Sequence, residues 1–169
     1  MEEQIMNMPA VALRGLTILP GMIAHFDISR ERSLRAVEEA MEQDQKIYLV
    51  TQRNVDSEDP TQEDLYQMGI VADIKQVVRL QNDVVRILVD GISRAALLGF
   101  TGNEKYLEAE ICYCDSNADS LPEDLREAML LGVREAFHRY AAGVGKISKE
   151  LIRQIDQYED LEKLIDYVT

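Results

Sequence analysis

The chain is predicted to be an α+β protein, with a mostly antiparallel β-domain over residues 1–115 and a helical subdomain over 116–169. Three observations carry this. Up to about residue 115, short β-branched and aliphatic runs alternate with turn residues, whereas beyond it the apolar residues recur with the 3.6-residue period of a helix. The connections between the runs are of hairpin length, which favours antiparallel pairing and a sheet able to close on itself as a small pseudo-barrel.

The elements follow in order. Pro9–Leu19 and Ile23–Ser29 read as strands around a Pro20-Gly21 turn, with Met22 just beyond it. Ser29 is placed to cap a helix over Glu31–Asp44, whose apolar stripe is Leu34, Val37 and Met41 with Ala36 and Ala40. Lys46–Thr51 is a nearly continuous apolar run, as expected of a strand buried on both faces. Asp59-Pro60-Thr61 marks a turn and a brief helical turn. Gly69–Leu80 and Val84–Val89 form a hairpin about Gln81-Asn82-Asp83, Gly91 permits a bend, and Ser93–Phe100 forms a further strand. In Leu107–Asp115, Leu107, Ala109, Ile111 and Tyr113 alternate with Glu108, Glu110, Cys112 and Cys114.

In the second part, Ser120-Leu121-Pro122-Glu123 has the form of a capping box with proline in the first turn. Leu125, Met129, Val133, Ala136, Phe137 and Tyr140 share one helical face, and Gly143 and Gly145 end that helix. Ser148 caps a second helix with Leu151, Ile152 and Ile155, and a third from about Glu159 carries Leu161, Leu164, Ile165 and Val168. Helices this short depend on packing, so the stripe running up to Thr169 suggests a bundle that continues in a longer protein.

Composition narrows the function. The 169 residues hold 31 acids and 18 bases, a net charge of −13, with no Lys/Arg cluster. A nucleic-acid partner, which needs a cationic footprint, is disfavoured. No apolar run spans a bilayer, and the acidic Met1-Glu2-Glu3-Gln4 start is unlike a secretory signal, so the expectation is a cytoplasmic protein with no membrane partner. Two cysteines make no disulfide framework.

Several segments are similar, in order and spacing, to the N-terminal domain of bacterial ATP-dependent Lon proteases. They are Leu13-Arg14 with Pro20-Gly21-Met22; Ser29-Arg30-Glu31-Arg32-Ser33-Leu34; Lys46–Arg53; Asp59-Pro60 with Asp64–Ala72; and Val84–Ala95. The resemblance departs at His25-Phe26, where the family usually has proline nearby, and at the Leu80-Gln81-Asn82-Asp83 tip. It implies a PUA-like β-domain followed by a helical bundle. It also implies a non-catalytic role: recognising unfolded or misfolded proteins within an oligomer, a homohexamer in the parent protease. The ATP and Mg of the parent, and its Ser–Lys dyad, are implied to belong to other domains, leaving this chain with no cofactor.

The residues themselves offer no competing chemistry. Gly143–Ser148 lacks the glycine a phosphate loop needs at position 140 and the Ser or Thr directly after Lys146. Ser148-Lys149 are neighbours that diverge on a helix and make a poor dyad. Cys112 and Cys114 with only His25 and His138 form no convincing zinc set. No catalytic, cofactor-binding or metal residue is therefore expected. Met22, Met41 and Met129 fall at core or turn positions, and methionine also suits irregular apolar partners. Met22, Ile23 and Phe26, just past the first turn, are the best candidates for a substrate-contact patch, with Leu80 at the hairpin tip second.

Overall fold

A computed structural model of the chain describes residues 5–114 and 120–169, which divide into two compact units between Cys114 and Asp115. In the first unit the order is β1 (Ile5–Leu13), β2 (Ile23–Ile28), α1 (Glu31–Glu42), β3 (Lys46–Thr51), a 3-10 turn (Gln62–Asp64), β4 (Met68–Arg79), β5 (Val85–Phe100) and β6 (Glu108–Tyr113).

The strands form one sheet in the order β2-β5-β4-β3-β1-β6, and β6 also pairs with β5. Five strands thus close on themselves, and β2 extends the sheet from the first half of β5. Among the described residues only the β1–β3 pairing is parallel. The continuous apolar runs in β1 and β3 have a direct cause, since both of their faces are buried. Val11, Leu13, Ile47 and Leu49 join Ala36, Val37 and Ala40 of α1 in one core. Ala10, Ala12, Tyr48 and Val50 join Val71, Leu97, Ala109 and Ile111 in a second.

Several boundaries differ from the sequence reading. The first strand begins at Ile5, not Pro9, because it pairs with β6 from Ile5↔Cys112 onward. Pro9 is tolerated there because the β3 ladder starts only at Ala10. The strand stops at Leu13 rather than Leu19, since Gly15 at φ +64° redirects the chain. The following turn is tied down by Gly21 N–H donating to Gly91 O (2.7 Å) and Gly91 N–H donating to Met22 O (2.9 Å). The residues read as two strands around Gly91 form a single 16-residue strand, with the β4–β5 register shifting beside Gly91. The N-cap of α1 is Arg30 instead of Ser29, without a side-chain cap bond. Met41 lies on the open side of its helix. The hairpin turn has positive φ at Asn82 (61°) and Asp83 (58°), the signature of a type I′ turn.

The second unit contains α2 (Glu123–Val144), α3 (Lys149–Gln157) and α4 (Leu161–Val168). Its core is Leu130, Ile155, Leu161 and Leu164, with Val133, Phe137 and Leu151 packed against them. The buried face of α2 is only partly the predicted one: Val133 and Phe137 pack on the core as expected, but Leu130 and Ala141 are also covered, whereas Leu125, Met129 and Tyr140 are exposed. The helix is capped by Pro122 rather than by a Ser120 capping box, and runs through Gly143 to Gly145 in the left-handed region. Ser148 caps α3 as expected, accepting from Leu151 N–H. The Asp115 end of the last predicted strand lies outside the described residues.

Candidate functional site

Alternation along β2 decides which predicted residues share a surface. Ala24 and Ile28 are buried and Phe26 packs on the core, so Ile23, His25 and Asp27 project from the opposite face. Ile23 is 67% exposed and Met22 39%. Phe26 lies an odd number of residues from Ile23, which puts it on the inner face and out of that patch.

Leu80 N–H donates to Val84 O (2.8 Å), continuing the β4–β5 register that pairs Gln76 with Leu88 and Val78 with Arg86. Leu80 thus falls on the same face as Val78, and Ile23 lies beside Asp90. Val84 and Asp90, which face the two ends, are six positions apart, roughly 20 Å of extended chain. Between them is a shallow hollow of about 260 Å³ lined by His25, Gln76, Val78, Arg86 and Leu88. Arg86 grips Asp27 with two bonds, Nε–Oδ1 at 2.7 Å and Nη2–Oδ2 at 2.9 Å. That bond holds the Asp27 carboxyl below its ordinary range and raises Arg86 further. Lys75 reaches both Asp73 and Asp90. The structure therefore spreads Met22, Ile23 and Leu80 along a face interrupted by ion pairs.

A second, more concave surface was not legible in the sequence. The loop after β1 (Thr17, Ile18, Leu19) forms one wall of a groove of about 470 Å³, and Tyr66 to Gly69 at the start of β4 form the other. Tyr66 is 51% exposed and Met68 47%. The loop wall is fixed by Thr51, whose hydroxyl donates to Leu16 O (2.9 Å) and lies 3.1 Å from the Thr17 hydroxyl. Arg53 stacks over the Tyr66 ring at 5.2 Å, and Arg94 also lines the groove. An aliphatic floor with a tyrosine, a methionine and two guanidinium groups at its margin suits an apolar chain segment with polar flanks. The only available signal was Tyr66 and Met68 standing beside a turn.

Among the described residues no group of three or more His, Cys, Asp and Glu is arranged to hold a metal. Cys112 and Cys114 are not joined in a disulfide, and the Cys114 Sγ lies 3.6 Å from the Met68 sulfur. Gly143–Ser148 runs from the last turn of α2 to the N-cap of α3. No described helix is long and apolar enough to cross a membrane.

The comparisons with known proteins agree with one another. Residues 7–169 match the family model for the substrate-binding domain of ATP-dependent protease La (Lon). The chain is 36% identical to a Lon protease of Lachnoclostridium phytofermentans over 169 residues, covering 100% of this chain and 21% of that protein. It is 35% identical to a Lon protease of Clostridioides difficile over 165 residues, covering 96% of this chain and 21% of the relative. The chain thus spans about a fifth of the length of these relatives. In fold it is similar to the N-terminal domain of a Mycobacterium avium complex Lon protease, with a TM-score of 0.72 at 17% identity, covering 95% of this chain and 80% of that one. A Lon N-terminal domain protein from Xanthomonas campestris gives 0.56 at 14% identity, covering 96% of each chain. With a family model accounting for nearly its whole length, and a fold to match, the chain belongs to the Lon substrate-binding domain family.

Proposed function

We propose that this chain captures exposed apolar segments of unfolded or damaged proteins and delivers them to an ATP-dependent serine protease of the Lon type. The observation that carries the reading is the apolar groove between Thr17–Leu19 and Tyr66–Gly69, open to solvent and edged by Tyr66 and Met68. The Ile23 face supplies a second, weaker contact. One such groove binds weakly, so several copies held in a ring would gain effective affinity without any new contact. Selectivity follows from access, because native proteins keep such segments inside.

The test is a titration of the purified chain with a permanently unfolded protein and with its native counterpart. Preference for the unfolded form, weakened by Tyr66→Ser and Met68→Ser together, is the expected result. Equal affinity for both forms overturns the proposal. The chain by itself is expected to hydrolyse neither ATP nor peptide.

A further inference from the structure

We propose that the hollow at the start of α1 is a carboxylate-binding site, in which Arg14, Arg32, Ser33 and the open amides of the helix receive one singly charged oxyanion. The hollow measures about 500 Å³ and shares no lining residue with the groove, so the two readings stand or fall separately.

The helix supplies the first element. Arg30 caps α1 without a side-chain bond, and the first intrahelical bond is Leu34 N–H to Arg30 O. The amides of Glu31, Arg32 and Ser33 therefore lack intrahelical acceptors at the positive end of a 12-residue helix. Ser33 supplies the second, independent element. It is only 5% exposed and lines the hollow, yet its hydroxyl has no hydrogen-bond partner among the described residues. That hydroxyl is not sealed from the hollow, and an anion seated there would give it a partner.

The arginines complete the site. Arg14 Nη2 donates to Ser57 O at 2.9 Å, and Arg30 Nη2 donates to the same carbonyl at 3.1 Å. Arg30 also holds Gln52 Oε1 with both terminal nitrogens, at 3.0 Å each. These bonds staple the 53–60 loop, and they commit Arg30 far more than Arg14, whose remaining N–H groups have no partner among the described residues. Arg32 bonds Asp59 (3.0 Å) and Asn103 O (3.4 Å), while its enclosed Nε has no partner among the described residues. Burial and then the neighbouring Arg14 charge lower the Arg30 pKa, as expected where guanidinium groups converge.

Charge balance selects the ligand. Glu31 is paired with Arg35, leaving Arg14, Arg30 and Arg32 against Glu58 and Asp59, a surplus of one positive charge. That matches an acidic side chain or a chain terminus better than a phosphate dianion, which the two carboxylates on the rim would repel.

Acetate titrated into the ¹⁵N-labelled chain, at ionic strength held constant with chloride, tests the site. Saturable shifts of the Glu31, Arg32 and Ser33 amides are expected, weakened about fivefold in Ser33→Ala by loss of one hydrogen bond and abolished in Arg14→Gln. Ser33→Ala removes a hydroxyl with no protein partner, so its fold is retained even if Arg14→Gln unfolds the 53–60 loop. Linear, non-saturating shifts, or equal binding in Ser33→Ala, overturn the site. Inorganic phosphate binding more than about tenfold tighter than acetate, a difference of about 1.4 kcal/mol, overturns its assignment to carboxylates.

Discussion

Truncating Leu164 to alanine tests whether the helical unit stands on its own core. Leu164 is fully buried among Leu130, Ile155 and Leu161, and no described residue before Leu121 belongs to that cluster. Removing three buried carbons and leaving a cavity costs about 2–5 kcal/mol. A unit of roughly 50 residues at about 0.05–0.15 kcal/mol per residue holds about 2.5–7.5 kcal/mol in total. The variant is therefore left near its folding midpoint at room temperature. The two β cores contain nothing beyond Tyr113, so they keep their stability. Amide spectra are expected to lose the dispersed signals of residues 121–169 while those of residues 5–114 stay in place, with circular dichroism at 222 nm falling in parallel. Collapse of both sets together would refute the assignment of separate cores, and an unchanged melt would refute the burial of Leu164. The matched control is Tyr140→Ala, at an exposed position where a change within about 0.5 kcal/mol is expected. If Tyr140→Ala proves the more damaging, α2 packs on the face that its periodicity suggested.

Three further outcomes follow from the β unit. Gly91→Ala places a Cβ 2.4 Å from Leu19 O, a backbone atom that must move, so a loss of about 1–3 kcal/mol and loosening of the Pro20–Met22 turn are expected by thermal melting and amide exchange. Tyr48→Phe deletes the buried bond from Tyr48 Oη to Ala95 O (3.0 Å) and should cost about 1 kcal/mol in urea denaturation. Burial raises the Tyr48 pKa, so its folded form stays neutral where the unfolded chain ionises. Stability is therefore expected to fall above about pH 10, and Tyr48→Phe should flatten that alkaline limb. Asp27 behaves in the opposite sense, since its lowered pKa gives stability that is present above the unfolded value of about 3.9 and lost as pH falls through the folded one. A carboxyl-carbon titration should show a depressed Asp27 midpoint that returns to the ordinary range in Arg86→Met.

The fold was legible wherever local pattern and tertiary packing coincide. Lys46–Thr51, the Gln81–Asp83 turn and the Ser148 cap lie where the residues indicate, because two-sided burial, a tight turn and an orphan amide each impose their own composition. The register shift beside Gly91 was not legible as a continuous strand, since a glycine that lets one backbone approach another looks in sequence like a glycine that ends a strand. In α2 apolar residues surround the helix, so periodicity alone could not choose between the Leu125–Met129–Tyr140 face and the Leu130–Ala141 face. The choice is made by Ile155, Leu161 and Leu164, which lie on other helices of the same unit.

The candidate site shows the same division more sharply. Met22 and Ile23 are exposed as their position past a turn implies, but Phe26 is removed from them by strand parity, a property readable once the strand is accepted as Ile23–Ile28. The groove has no such local trace. Its walls come from the loop after β1, the end of β3, the segment before β4 and the middle of β5, four stretches brought together by barrel closure. Barrel closure leaves the consecutive Tyr66, Gln67 and Met68, together with Arg53, exposed along the groove's margin. That mixture of an aromatic ring, an amide, a thioether and a guanidinium group is the surface on which the proposed capture of an apolar segment rests.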